Sequence, residues 1–254
     1  MIRMKPYFIL LLLLCTTLSG YPVSQRDYIF KGNKAYSAGS YSTAVEMYKK
    51  VTDAGFESPE LFYNIGNAYF KMNDFASAIL WYERAKRIDP ANEDIDFNLN
   101  VANTKISDKI EPLPELFYKR WFNALIQFFS VDVWASICVV LFIAGLLCGI
   151  LYLSSRVLVL RKIGFWLGFG LLAMAGLSFV FSWSSYSFTK ATTEAIVFAP
   201  TITVKSSPDD KSTDLFVVHE GTKVRLLDNI SGWYEIRIAN GSVGWLPATS
   251  LEKI

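Results

Sequence analysis

A stretch near the N-terminus repeats itself after 34 residues. The repeated positions carry the same small or aromatic side chains in both copies: Gly32, Ala44, Tyr48 and then Gly66, Ala78, Tyr82. A period of 34 residues is typical of a helix–turn–helix unit that cannot bury its apolar face alone and has to stack on a neighbour. Stacked units of this kind present a concave surface, so the sequence predicts a chain that binds a peptide or another protein.

The second copy has the clearer helix boundaries. Ser58 and Pro59 favour the start of a helix, because serine caps the N-terminus and proline suits the first turn. Asn73 and Asp74 separate this helix from the next, which ends before Pro90. We therefore expect two helices between residues 59 and 90.

These positions carry a resemblance to the tetratricopeptide repeat family. The matching signature residues are Gly66, Tyr69, Phe75, Ala78, Tyr82, Ala85 and Pro90. The first repeat matches at fewer positions, and residues 92–109 resemble a further helix with polar replacements, which is what the end of a repeat array needs. The resemblance implies an all-α domain over residues 21–111, made of two repeats and a capping helix.

In this family the first helix of each repeat lines the binding groove. The matching positions here are Asn33, Tyr63, Asn64, Asn67, Lys71 and Asn98. Asparagine amides bond to a peptide backbone without reading its sequence; the alternative is that some of them are solvated or capping. The cations of the family's carboxylate clamp are replaced by Ile29, Asp94 and Asn98, so a C-terminal carboxylate ligand is not implied.

Residues 1–20 have the layout of a secretory signal peptide. Arg3 and Lys5 precede a short apolar core, and small residues follow at Thr17 and Ser19. A lipoprotein signal acylated at Cys15 is the alternative. Either signal predicts that the repeats lie outside the cytoplasm.

Two uncharged apolar segments, 134–153 and 163–183, are each long enough to span a bilayer as a helix. The intervening segment, 154–162, contains three basic residues and no acidic one. The positive-inside rule places it in the cytoplasm. The sequence thus predicts a transmembrane hairpin in the bacterial inner membrane, with both soluble parts on the periplasmic side.

Each predicted span contains two glycines four residues apart, a spacing that lets helix backbones approach closely. The pairs are Gly145 with Gly149, and Gly164 with Gly168. Either these glycines let the two helices of the hairpin pack against each other, or they let the hairpin pack against another membrane subunit. Residues 112–133, which follow the repeats, are predicted as a linker that includes either an interfacial amphipathic helix or a plain connecting helix.

After Lys190 the pattern changes to short runs with alternating apolar residues, which predicts a small all-β barrel over residues 190–254. The predicted strands are 202–205, 223–227, 233–238 and 243–246. Asn240-Gly241 between the last two is a strong hairpin signal.

This segment resembles the bacterial SH3 domain in its motifs ITVKSSP, HEGTKVRLL and GWYEIRIANGSVGWL. Strand alternation places Tyr234, Ile236 and Ile238 on one face. The opposite face and the next strand supply the predicted ligand surface, Trp233, Glu235, Arg237 and Trp245. Some relatives bind cell-wall peptides; the alternative is that the two tryptophans only pack the barrel.

Charge and chemistry exclude several classes of function. Residues 21–114 hold 11 basic and 13 acidic side chains, and residues 190–254 hold 7 and 8. Neither segment has the excess of basic residues that binding to a nucleic-acid backbone requires. His219 is the one histidine and is interpreted as a surface residue, and the cysteines lie in the apolar runs. We therefore expect no enzyme, no metal site and no cofactor.

The order of signal, repeats, membrane hairpin and barrel resembles the E-type proteins of bacterial aerotolerance (Bat) operons. The resemblance implies a multidomain membrane scaffold that works beside von Willebrand-type membrane proteins in envelope stress tolerance. A membrane-anchored module that binds peptidoglycan is the alternative.

Overall fold

The computed structural model describes residues 23–111, 113, 117–126, 128–191 and 194–254. The predicted signal peptide, 1–20, lies outside these residues. The chain divides into two compact units, 1–57 and 58–254.

The first unit contains helices α1 (Val23–Ser37) and α2 (Tyr41–Thr52). Tyr48 on α2 is 1% exposed, and its ring fills the space that a side chain at Gly32 of α1 would need. This contact explains why the repeat keeps a glycine on one helix and a tyrosine on the next.

The second repeat forms α3 (Pro59–Lys71) and α4 (Phe75–Ile88). The side chains of Ser58 and Asp74 each accept a backbone N–H bond from the first turn of the helix that follows, at 3.1 and 3.0 Å. These caps satisfy donors that a helix start leaves free. Both helices therefore begin where the capping residues predict.

The glycine–tyrosine contact recurs inside this repeat. A Cβ atom at Gly66 would lie 2.7 Å from the ring of Tyr82, which is 1% exposed. Helix α5 (Glu93–Asn103) follows, with Asn92 capping its N-terminus. It packs on α4 through Ile95, Leu99 and Ala102. The predicted capping segment, 92–109, is helical only as far as Asn103.

A short helix, α6 (Phe117–Ile126), precedes two long apolar helices, α7 (Val131–Ser154) and α8 (Leu158–Ala191). The long helices, here called the apolar hairpin, are long and apolar enough to cross a membrane by length and composition. Helix α8 begins earlier than predicted, because basic residues are tolerated at a helix end. Arg161 and Lys162 therefore lie on the helix rather than in a loop.

The glycines of the apolar hairpin bring its two helices together. An added Cβ at Gly164 would lie 2.9 Å from the carbonyl oxygen of Cys148, and one at Gly145 would lie 2.8 Å from Leu172. An added Cβ at Gly168 would lie 3.2 Å from the side chain of Cys148 and 3.7 Å from the backbone nitrogen of Gly149, whereas one at Gly149 would meet nothing within 4 Å. A side chain at three of the four glycines in the spaced pairs would therefore push the two helices of the hairpin apart.

The C-terminal β domain, residues 194–254, is one antiparallel sheet with strand order β3-β2-β6-β5-β4-β1-β7. Its strands are β1 (Glu194–Val197), β2 (Thr201–Lys205), β3 (Asp214–His219), β4 (Lys223–Ile230), β5 (Trp233–Arg237), β6 (Val243–Pro247) and β7 (Leu251–Lys253). All four predicted strands are present; β1, β3 and β7 are additional.

The β domain has its own core, centred on the fully buried Val204, Ile236 and Leu246. A second apolar cluster joins the β domain to the second repeat. In this cluster Ile196 of β1, also fully buried, packs with Ile79 and Tyr82 of α4. The β domain and the second repeat therefore share buried apolar surface, although the apolar hairpin separates them in the sequence.

Candidate functional site

The groove side chains of the second repeat hold each other in fixed orientations. The side-chain nitrogen of Asn98 donates to the hydroxyl of Tyr63 at 2.7 Å and to Oδ1 of Asn67 at 3.0 Å. Oδ1 of Asn67 also accepts from the Tyr82 hydroxyl at 2.7 Å. This network ties α3, α4 and α5 together through half-buried polar groups.

The same network determines what Asn67 and Asn98 offer to a ligand. Asn67 uses its oxygen twice, which leaves its NH₂ group as a donor, and Asn98 uses its NH₂ group twice, which leaves its oxygen as an acceptor. One donor beside one acceptor is the complement of a peptide group. The two remaining groups thus have the hydrogen-bonding capacity that a peptide group requires.

Two more predicted groove residues lie on the same helix as Asn67. Asn64 and Lys71 are three residues before it and four after it on α3, so the three share one face. Asn64 is half-buried and Lys71 is exposed. This face therefore offers two amides and one cation.

Asn33 belongs to the first unit, where the Tyr48 hydroxyl donates to its Oδ1 at 2.8 Å. Burial raises the pKa of Tyr48 to about 12, so the hydroxyl remains a donor at neutral pH. Asn33 and Tyr48 lie 34 residues before Asn67 and Tyr82 and make the same hydrogen bond. A buried tyrosine orients the groove asparagine in each repeat.

The predicted ligand surface of the β domain lies on one face of β5 and β6. Trp233 is opposite Pro247, and Glu235 is opposite Trp245, so these side chains share a face. Both tryptophans and Glu235 are half-buried, and Arg237 is exposed. The tryptophans thus contribute partly to packing and partly to an accessible aromatic surface.

Polar contacts join the β domain to α4 and were not foreseen from the sequence. Lys223 binds Glu83 of α4 at 2.8 Å and Glu194 of β1 at 2.7 Å. Burial lowers the pKa of Lys223, but the attraction of the two carboxylates outweighs this, and the pKa lies above its usual value. Arg84 adds a hydrogen bond of 2.7 Å to the carbonyl oxygen of Lys253.

The described residues 104–111 and 113, called the linker from here on, also contact the β domain; they begin before the linker segment predicted at 112–133. Its Asp108 carboxylate accepts from the His219 backbone N–H at 2.8 Å and from the Thr222 hydroxyl at 2.7 Å, and the His219 ring nitrogen Nδ1 lies 2.6 Å from it. The interpretation of His219 as an ordinary surface residue is therefore wrong. No sequence pattern links these residues, which lie more than 100 positions apart.

The protonation of Asp108 should affect stability at low pH. Burial raises its pKa, but the bonds from the His219 backbone, the Thr222 hydroxyl and the His219 ring outweigh burial, so its pKa lies below the usual value. A carboxyl whose pKa is lowered in the folded state stabilises the fold above its unfolded pKa, about 4, and loses this effect as the pH falls through the folded pKa. We expect Asp108→Asn to lower the unfolding temperature at pH 7 and to cost progressively less below pH 4. An equal loss at pH 7 and pH 3 would contradict this assignment.

Two features of position 221, which precedes Thr222 of the Asp108 contact, favour glycine over any larger residue. Its φ is +86°, and an added Cβ would collide with the side chain of Ile106. Gly232 has a similar φ of +83° with nothing within 4 Å, so it is a matched control for backbone strain alone. We expect Gly221→Ala to cost about 1–3 kcal/mol more than Gly232→Ala in urea unfolding of the full chain. Equal costs would show that Ile106 does not pack there.

Among the residues that the structure describes, no group of three or more histidine, cysteine, aspartate or glutamate side chains is arranged to hold a metal ion.

Comparison with known families agrees with this organisation. The family model described as Tetratricopeptide repeat matches residues 59–92, and the model described as Bacterial SH3 domain matches residues 200–252. The BBSome complex member BBS4 of Bos taurus is 30% identical over 87 residues, which are 34% of this chain and 17% of that protein. The chain thus covers less than a fifth of that relative.

Two solved structures are similar to parts of the chain. The C-terminal SH3 domain of Myosin IB from Entamoeba histolytica, solved with a bound peptide, is 19% identical with a TM-score of 0.19, covering 25% of this chain and 93% of that one. The MamA protein is 16% identical with a TM-score of 0.21, covering 66% of this chain and 94% of that one. From the family matches, this chain contains a tetratricopeptide repeat and a bacterial SH3 domain, with the apolar hairpin between them.

Proposed function

We propose that this chain is a membrane scaffold without enzymatic activity, which binds a partner protein through the groove of its repeats. The observation that carries the proposal is the fixed pair of Asn67 and Asn98, which presents one donor and one acceptor to an extended backbone. Lys71 on the same helix adds a cation that favours a ligand with an acidic residue.

In this proposal the apolar hairpin is the membrane anchor, and both the repeats and the β domain lie on the periplasmic side. Two observations support this topology. The short connection between the long helices contains Arg156, and Arg161 and Lys162 follow it in the first turns of α8; these basic residues favour the cytoplasm. The contact between the second repeat and the β domain requires both to lie on the same side of a membrane.

The resemblance to the E-type proteins of Bat operons supplies the expected setting. We propose that the partners are von Willebrand-type membrane proteins of the same complex, and that the complex serves aerotolerance or the response to envelope stress. The repeat and SH3 matches support a binding role of this general kind.

Site-specific photocrosslinking in intact cells tests the groove. A photoreactive amino acid at Lys71 should crosslink one envelope protein. Asn67→Leu should lower the yield about fivefold, since it removes about 1 kcal/mol of hydrogen bonding. Asn100 is exposed on α5 and outside the Asn67 network, so Asn100→Leu is the matched control. Equal yields from all three chains would contradict partner binding in the groove.

Peptidoglycan binding is the second candidate, favoured by the two tryptophans beside Glu235 on the outer face of β5 and β6. The full chain in detergent micelles should sediment with purified peptidoglycan, and Trp233→Ala should weaken this at least about threefold. Phe97→Ala, which removes an exposed aromatic side chain on α5 outside the β domain, is the control. A full chain that stays in the supernatant would exclude this function.

A further inference from the structure

The linker lies against the β domain through alternate residues. Ile106 packs against Gly221, Asp108 binds His219 and Thr222, and Ile110 packs against the core of the β domain. Ser107 and Lys109, which lie between them, are exposed. The chain bends at Ile106 and Ser107 and forms neither helix nor strand from Asp108 to Glu111, so the β domain is contacted by a short linear segment.

The central contact is a site built for a carboxylate. Oδ2 of Asp108 accepts from both the His219 backbone and the Thr222 hydroxyl, while Oδ1 faces Nδ1 of His219. The Asp108 side chain is only 15% exposed. The β domain therefore offers donors at a half-buried turn, and an acidic side chain satisfies them with charge-assisted bonds.

The neighbouring glycines shape the surface for apolar side chains on either side of this carboxylate. Gly221 leaves room for Ile106, and Gly241 leaves room for Leu113, whose Cδ1 atom would lie 2.7 Å from an added Cβ. The backbone N–H of Leu113 also donates to the carbonyl oxygen of Ala239 at 3.1 Å. Both backbone and side chains of the linker are thus recognised.

We propose that the β domain is a receptor for short linear segments with the pattern apolar–x–Asp–x–apolar, and that the linker is its resting occupant. A partner protein that carries this pattern displaces the linker and takes its place. The site extends from the turn between β3 and β4, which binds the carboxylate, to the turn between β5 and β6, which contacts Leu113. This inference does not depend on the proposed groove ligand or on the membrane topology.

The occupancy is exchangeable because the contact is small. It consists of one carboxylate, a few apolar side chains and a backbone hydrogen bond, held by the tether of the chain itself. A tethered segment competes at an effective concentration in the millimolar range. Weakening the linker's own aspartate should therefore open the site to a peptide added from outside.

The test is a fluorescence anisotropy titration of the full chain in detergent micelles. The probe is a labelled peptide with the sequence of residues 104–113, TKISDKIEPL. We expect Asp108→Asn chains to bind this peptide at least about tenfold tighter than the unchanged chain does. The same peptide with asparagine in place of its aspartate should bind at least about tenfold more weakly to the Asp108→Asn chain. Lys109→Ala, at an exposed neighbour, should bind as the unchanged chain does.

Two further chains keep the test decisive. Adding Thr222→Val to the Asp108→Asn chain should reverse the gain, because it removes a donor of the site. If Asp108→Asn loses near-ultraviolet circular dichroism, Ile106→Ser replaces it, since this change loosens the linker and leaves the carboxylate site intact. Equal peptide binding by the loosened and unchanged chains, or equal binding of the aspartate and asparagine peptides, would overturn the proposal.

Discussion

Ile196→Asp is expected to unfold the β domain and to release it from the second repeat. Ile196 is 0% exposed and lies in the apolar cluster that β1 shares with α4. The change removes a buried aliphatic side chain and places a carboxylate in the apolar cluster, while Lys223, the cross-strand neighbour of Ile196, already pairs with Glu83 and Glu194. Together these effects cost about 4 kcal/mol or more, a large part of the stability of an ordinary domain.

Hydrogen exchange followed by mass spectrometry measures this effect by region. Peptides from residues 194–254 should lose protection, and peptides from α4 should lose part of theirs because their apolar cover is gone. Ile230→Asp is the matched control, since Ile230 is 44% exposed on β4. Normal protection of the β domain in the Ile196→Asp chain would refute the shared core.

Tyr82→Ala is expected to destabilise the second repeat by about 3–5 kcal/mol, because the ring fills the space beside Gly66 and is 1% exposed. Tyr82→Phe keeps the ring and removes the hydroxyl that binds Asn67, so it should cost about 1 kcal/mol. The two substitutions separate the packing role of the tyrosine from its role in orienting the groove.

Urea unfolding of the two chains, followed through exchange of α3 and α4, checks these values. Phe97→Ala, at a position 69% exposed on α5, should change stability by less than about 0.5 kcal/mol. Similar losses from Tyr82→Ala and Tyr82→Phe would mean that the ring does not carry the packing. In that case the glycine–tyrosine repeat would have another cause.

The repeat could be predicted because its signals are local. Glycine and tyrosine recur at a fixed period, and the capping serine and aspartate lie directly before their helices. The predicted β strands likewise have turn residues beside them. Strand β1 was missed because it follows α8 closely without a turn signal, and β7 was missed because it has only three residues.

The contacts between the second repeat and the β domain could not be predicted. Glu83 and Lys223 are 140 residues apart, and each is an ordinary charged residue in its own segment. The same holds for Asp108 and His219, whose types and neighbours favour a solvated surface. The orientation of Asn67 and Asn98 also depends on tertiary contacts, so the sequence gives the residue types but not which group faces the ligand.

Zero-length carbodiimide crosslinking of the full chain in native membranes tests most directly whether the second repeat and the β domain meet as one body. The Nζ atom of Lys223 lies 2.8 Å from the Glu83 carboxylate, close enough for an amide bond to form without a spacer. The account predicts that mass spectrometry will identify a peptide joining Glu83 to Lys223, and that Glu83→Gln will remove it. Absence of this crosslink from the unchanged chain, while Lys223 still joins its neighbour Glu194, would contradict the account.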